Sequence, residues 1–195
     1  MKDTVFCILA GGKSERFNTD KRFVKLKDKP LIDYILNTIK MFQKAKIVIS
    51  TKKGEKLSID DTISIEDKNP FEGPVCGIYR ILNDIPSEKF IFFAADMPFI
   101  SKEMIEKLID CINSNCFSCL FSSNDKLYPL PFAIKKEAVD FFKTNECKNK
   151  KIKELLFFRK PCIINWHKEE NLFNINRQKD LSKAKELMDK LYLDF

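Results

Sequence analysis

Val5-Phe6-Cys7-Ile8-Leu9-Ala10-Gly11-Gly12-Lys13-Ser14-Glu15-Arg16-Phe17-Asn18-Thr19-Asp20-Lys21 decides the fold. The apolar run Val5 to Leu9 has the length and β-branched content of a buried strand. Gly11 and Gly12, which lack Cβ, then let backbone N–H groups come close to an anion or a base edge. Lys13, Arg16 and Lys21 offer charge and donors to phosphate oxygens. A strand that opens into a glycine pair and then basic side chains is suited to a nucleotide triphosphate. A turn that used glycine only for tightness would not need Arg16 and Lys21 as well.

Two familiar phosphate loops are excluded. Gly12-Lys13-Ser14 resembles the end of a P-loop, but the glycine required five residues before Gly12 is replaced by Cys7, inside the strand. A dinucleotide fingerprint lacks its third glycine, with Glu15 and Arg16 near that position.

The rest of the chain suits a single domain, residues 1–195, with a sizeable core: 44% of residues are hydrophobic and 32% charged. No apolar run approaches the roughly 18 residues of a membrane span. Thr4 to Ala10 is too short, and too soon followed by Gly-Gly-Lys, to be a signal peptide, so a cytoplasmic chain is expected. The net charge of +7 favours an anionic partner. The lysines are scattered and form no stripe with interleaved aromatics, so small phosphorylated ligands fit better than nucleic acid. Seven cysteines, an odd number mostly in apolar stretches, argue against a secreted disulfide framework and suggest reduced core thiols. Cys116 and Cys119 form one C-x-x-C with Cys111 nearby. No second pair follows and His167 is the lone histidine, which gives a zinc site poor support.

Strands are expected at Val5 to Leu9, Lys46 to Ser50, Ile63 to Glu66, Phe90 to Ala94, Cys116 to Phe121 and Pro131 to Ile134. Between them, helical faces are marked by Leu31, Ile35, Ile39 and Phe42, by Ile78, Ile81 and Leu82, and by Met104, Leu108 and Ile112. Ala138, Phe141 and Phe142 suggest a further helix, as do Ile152, Leu155 and Leu156. Leu181, Ala184, Met188 and Leu191 suggest the last. This alternation predicts an α/β fold in three layers, Rossmann-like, with a mostly parallel sheet and its ligand beyond the carboxyl ends of the strands.

Polar residues fall at those ends. Asp96 follows the most apolar strand, and one carboxylate facing a triphosphate suffices for a hard cation such as Mg²⁺. A helix N-cap is the competing role, but Ser101 is better placed for it. Asp67 ends another strand before Gly73-Pro74-Val75-Cys76-Gly77, whose helix N-terminus could receive an anion. Asp67 could bond a ribose or base, or simply shape its loop through Asx-type hydrogen bonds.

Together these stretches resemble the molybdenum cofactor guanylyltransferase family, whose members share a nucleotidyltransferase fold. The resemblance spans nearly the whole chain. It rests on Leu9-Ala10-Gly11-Gly12 with Arg16 and Asp20-Lys21, Lys29-Pro30-Leu31, Asp67 with Gly73 to Gly77, Asp96-Met97-Pro98 and Asn174-Ile175-Asn176. It implies that Leu9, Ala10, Gly11, Gly12 and Lys21 bind GTP, with Ser50 and Asp67 near the guanosine and Asp96 holding Mg²⁺. Arg16, Lys21 and Asp96 would be catalytic, and Gly77, Asn174 and Asn176 would lie toward the molybdopterin. The implied reaction transfers GMP from GTP to the terminal phosphate of molybdenum-bound molybdopterin. A molybdoenzyme or its chaperone would be a further partner.

Two positions depart from the family pattern. Phe17-Asn18 replaces the usual Met-Gly, and Arg177 stands where threonine is frequent. The rivals are a cytidylyl or other small-molecule nucleotidyltransferase and, in a different class, a non-catalytic protein that binds and delivers the cofactor. Related cytidylyl enzymes usually read Leu-Ala-Ala-Gly in the first motif, so Gly11 favours guanine. A carrier would have no need to keep Asp96, Lys21 and Arg16.

Overall fold

Along β1 (Thr4–Leu9) successive side chains enter different cores, Phe6 and Ile8 one and Val5 and Cys7 the other. A strand covered on both faces must read as a continuous apolar run, as this one does. The computed structural model describes residues 3–11, 21–55, 57–66, 73–143 and 146–193, with only the backbone of Lys21 and of 191–193.

After a 3₁₀ turn at Lys21–Phe23 comes a small hairpin of β2 (Lys25–Leu26) and β3 (Lys29–Pro30). Then follow α1 (Leu31–Lys40), β4 (Lys46–Thr51), β5 (Thr62–Glu66), α2 (Pro74–Asp84), β6 (Lys89–Ala94) and α3 (Lys102–Asn113). The second half holds β7 (Ser118–Ser123), β8 (Lys126–Lys135), α4 (Ile152–Leu156), β9 (Cys162–Asn165) and α5 (Gln178–Leu193). Seven strands form one sheet in the order β5-β4-β1-β6-β8-β7-β9. Every pairing is parallel except those of β8.

α1 and α3 cover one face, over Phe6, Ile8, Ile91 and Phe93. α2 and α4 cover the other, over Val5, Phe90, Phe92 and Phe132. Each fully buried phenylalanine contributes about 1.5–3 kcal/mol of transfer free energy. A third core joins α5 to the hairpin and to α1 through Leu26, Leu31, Ile175, Leu181 and Met188. Among the described residues no helix is long and apolar enough to cross a membrane.

The expected helix around Ala138 is a 3₁₀ segment, Lys136–Lys143, and the one at Ile152 to Leu156 is a single short turn of helix. β8 starts well before Pro131 because Lys126 to Tyr128 pair with β7 before a bulge opposite Leu120 and Phe121. β9 was not expected. The cysteines are a correction: six are joined in pairs, Cys76–Cys147, Cys111–Cys119 and Cys116–Cys162, leaving Cys7 buried and free. Their Cα separations of 4.9, 6.3 and 5.9 Å lie in the range a disulfide spans. The spacing of cysteines along the chain does not reveal such proximity.

Candidate active site

The carboxyl ends of β4, β1 and β6 lie side by side. Leu9 pairs in register with Ser50 of β4 on one side and Ala94 of β6 on the other. Above this row the Ala10 N–H donates to the Ser50 carbonyl at 3.0 Å, and the Ala95 N–H to the Leu9 carbonyl at 3.4 Å. β4 and β5 lie to one side of β1 and β6 to the other, so the chain reverses its lateral direction here. Open α/β sheets bind ligands in such a crevice.

Gly11 stands on this rim. Among the described residues, the nearest atoms to a Cβ built on it would be the Thr51 carbonyl group, at 3.6 Å, and the Lys52 nitrogen, at 3.9 Å, which is ordinary contact. The fold therefore does not demand glycine at position 11. Gly77 is the opposite case: its Cβ would fall 3.0 Å from Ser50 Oγ and 4.0 Å from Leu9 Cδ2, so the bare Cα lets α2 pack against β4. Gly77 thus sits with Ser50 and Leu9.

A half-buried ion pair backs the rim. Arg22 is 2% exposed and its guanidinium bonds the Glu55 carboxylate. Glu55 also accepts from the Lys52 N–H at 3.4 Å, and Thr51 Oγ1 donates to the Glu55 carbonyl at 2.8 Å. The segment leaving the glycine loop is thereby tied to the turn after β4. Patterning missed Arg22 because a single arginine in a basic stretch carries no signal of burial.

Asp96 follows β6 and is 2% exposed. It does not cap α3; Ser101 does, accepting from the Met104 N–H at 3.3 Å as the sequence suggests. The Ile175 N–H donates to the Asp96 carbonyl at 3.0 Å, which sets the segment Asn174 to Asn176 against the strand end. Asn171, also buried, braces the same loop, donating to the Phe99 carbonyl at 2.8 Å and accepting from Trp166 Nε1 at 3.2 Å.

Beyond Asn174 opens a cleft of about 660 Å³ lined by Lys126, Tyr128, Glu169, Asn174, Asn176 and Lys183 among others. The β8 bulge and the middle of α5, at Lys183 and Leu187, form its walls. Asn174 Oδ1 is buried and accepts no hydrogen bond from the described residues. Asn176 and Arg177 donate their N–H groups to Asp180 Oδ2 at 2.9 and 2.8 Å. Arg177 has no side-chain acceptor with which to cap α5; Asp180 reaches back to its N–H instead. Tyr128 donates to Glu169. Burial first, then that bond and the carboxylate's charge, push the phenol up to about 12. The same bond leads the causes that hold Glu169 below the usual carboxylate range.

Leu9, Ala10, Gly11, Ser50, Gly77 and Asp96 thus share one end of the sheet, and Asn174 and Asn176 open the neighbouring cleft. Gly12, Arg16 and Asp67 lie outside the described residues, as does the Lys21 side chain. The model of the MobA-like NTP transferase domain matches residues 6–163. This chain belongs to that family. A relative in Clostridium perfringens (strain ATCC 13124), named "Probable molybdenum cofactor guanylyltransferase", is 32% identical, covering 92% of this chain and 96% of its own. Among solved structures, molybdopterin-guanine dinucleotide biosynthesis protein A from Archaeoglobus fulgidus superposes with a TM-score of 0.76 at 24% identity over 95% of this chain and 98% of its own. 4-Diphosphocytidyl-2C-methyl-D-erythritol synthase from Anaerococcus prevotii does so with 0.73 at 15% identity over 96% of each. Both likenesses show the nucleotidyltransferase fold.

Proposed function

We propose that this chain transfers GMP from GTP to the terminal phosphate of molybdenum-bound molybdopterin. The observation that supports this reading is the bond from Ile175 to Asp96, which sets Asn174, Asn176 and the cleft they line beside the carboxyl ends of the strands. An oxygen of the acceptor phosphate bonds the α-phosphorus, the bond from that phosphorus to the β-bridging oxygen breaks, and pyrophosphate leaves. A phosphate monoester is already anionic, so no serine or cysteine nucleophile is needed and alignment is the main task.

The backbone from Leu9 to Gly12 receives the guanosine, Ser50 and Asp67 flank it, and Arg16 and Lys21 guide the phosphates. A backbone rim with no Cβ at Gly11 leaves room for the wider purine. Asn174 and Asn176 face the pterin, while Lys126 and Lys183 bring positive charge to the cleft for the acceptor's phosphate. Asp96 fits a divalent ion, Mg²⁺ by preference: it is a hard oxygen donor, buried at a strand end, beside which substrate phosphates would complete the ligand set. An ion held there would offset charge on the bridging and leaving oxygens. The reaction belongs in the cytoplasm, with a molybdoenzyme or its chaperone receiving the product. Incubation with GTP and molybdenum-loaded molybdopterin should yield the guanine dinucleotide by mass spectrometry. Recovery of unchanged GTP and acceptor would refute the assignment.

A further inference from the structure

At the opposite end of the sheet the fold gathers four cysteines. Cys119 of β7 and Cys162 of β9 are register partners on adjacent parallel strands, so both side chains leave the sheet on one face. Cys111, in the last turn of α3, lies over that face, and Cys116 follows in the connection to β7. The Cys119 side chain is fully buried in the core beneath α3, and Cys111, Cys116 and Cys162, half-buried, pack against the same core. The Sγ atoms of Cys111, Cys116 and Cys162 all lie within 4.8 Å of one another, and Cys119 is the disulfide partner of Cys111. Two independent disulfides do not require their sulfurs to crowd together. One metal ion does: four Zn–S bonds of about 2.3 Å set tetrahedral sulfur separations of about 3.8 Å.

We propose that the reduced chain holds one zinc ion on Cys111, Cys116, Cys119 and Cys162. The sequence shows a single C-x-x-C; folding supplies the rest by bringing Cys162 beside Cys119. Ser114 Oγ donates to the Cys111 carbonyl at 2.6 Å and stands 3.2 Å from Cys116 Sγ, so it braces the end of α3 beside the sulfurs. A four-sulfur tetrahedral set selects zinc over magnesium or calcium. Formation of the site from the paired state needs a thiol reductant of the glutathione or thioredoxin class. It delivers two electrons and two protons to each disulfide, and zinc binding then releases all four thiol protons. Such a centre would fasten the edge strand β9 and the end of α3 to β7. It lies at the amino ends of the strands, so it takes no part in the transfer chemistry and stands or falls separately from it.

The test is metal analysis of the chain purified anaerobically under reductant, together with cobalt substitution. One zinc per chain and a tetrathiolate cobalt spectrum are expected. Cys162→Ser, on the half-buried edge strand, should lose the metal, and Cys147→Ser, in the remaining disulfide on the other face, should keep it. Absence of metal under these conditions, iron in place of zinc, or metal retained by Cys162→Ser would each overturn the assignment. Circular dichroism of Cys162→Ser separates metal loss from unfolding. Should that variant unfold, cobalt titration of the intact chain must still give the tetrathiolate spectrum at one equivalent for the proposal to stand.

Discussion

The backbone N–H of Ile175 donates to the carbonyl of Asp96 at 3.0 Å, joining the end of β6 to the segment from which Asn174 and Asn176 line the neighbouring cleft. Whatever positions Asp96 also positions Asn174 and Asn176. Ser101, not Asp96, caps the following helix.

Asp96→Asn keeps the shape of the side chain and removes its charge. Transfer should fall by about 10²–10³-fold, the loss expected when one element of charge stabilisation is removed. The far-ultraviolet circular dichroism should not change. Undiminished turnover in that variant would remove Asp96 from the metal site.

Gly11→Ala separates a requirement of the fold from a requirement of the ligand. The added methyl group meets only ordinary contacts, so Tm should stay level or rise slightly. Discrimination for GTP over CTP, measured as a ratio of kcat/KM, should drop about tenfold or more. A lower Tm with the ratio unchanged would make position 11 merely structural.

Arg22→Ala leaves Glu55 without its guanidinium partner and loosens the turn that backs the rim. A loss of about 2 kcal/mol is expected, lowering Tm by about 4–8 °C, with KM for the nucleotide raised more than kcat is lowered. Thermal melts and steady-state kinetics on the same preparation check both parts.

Tyr128 and Glu169 set a pH window for the cleft. The folded phenol is raised to about 12, so its contribution to stability is full below the ordinary value of about 10 and is lost as pH rises through about 12. Glu169 is lowered, so its contribution is present above the ordinary carboxylate value of about 4.3 and disappears as pH falls through the folded value. The tyrosinate absorbance titration of the chain, less that of Tyr128→Phe, should show one phenol ionising late. A difference curve centred near 10 would mean that the contact does not persist in solution.

Much of the rim is legible from local patterning. β1, β4 and β6 are continuous apolar runs because both faces are covered, and such runs announce themselves. The same signal places Asp96 at a strand end, and Ser101 reads as a cap because Glu103 and Met104 open the periodic run after it. β9 does not announce itself: Cys162 to Asn165 is a short, half-exposed edge strand whose pairing with β7 depends on tertiary packing. The bond from Ile175 to Asp96, the ion pair of Arg22 with Glu55 and the approach of Cys162 to Cys116 join residues distant in sequence. No periodicity encodes such contacts. Gly77 shows a further limit: its glycine is explained by the packing of α2 on Ser50, which a motif alone does not distinguish from contact with a ligand.

The most direct test is pyrophosphate release with molybdenum-loaded molybdopterin as acceptor, GTP and CTP being compared side by side in the presence of Mg²⁺. Acceptor-dependent release with GTP strongly preferred is the predicted result. Preference for CTP, or release that ignores the acceptor, would contradict it.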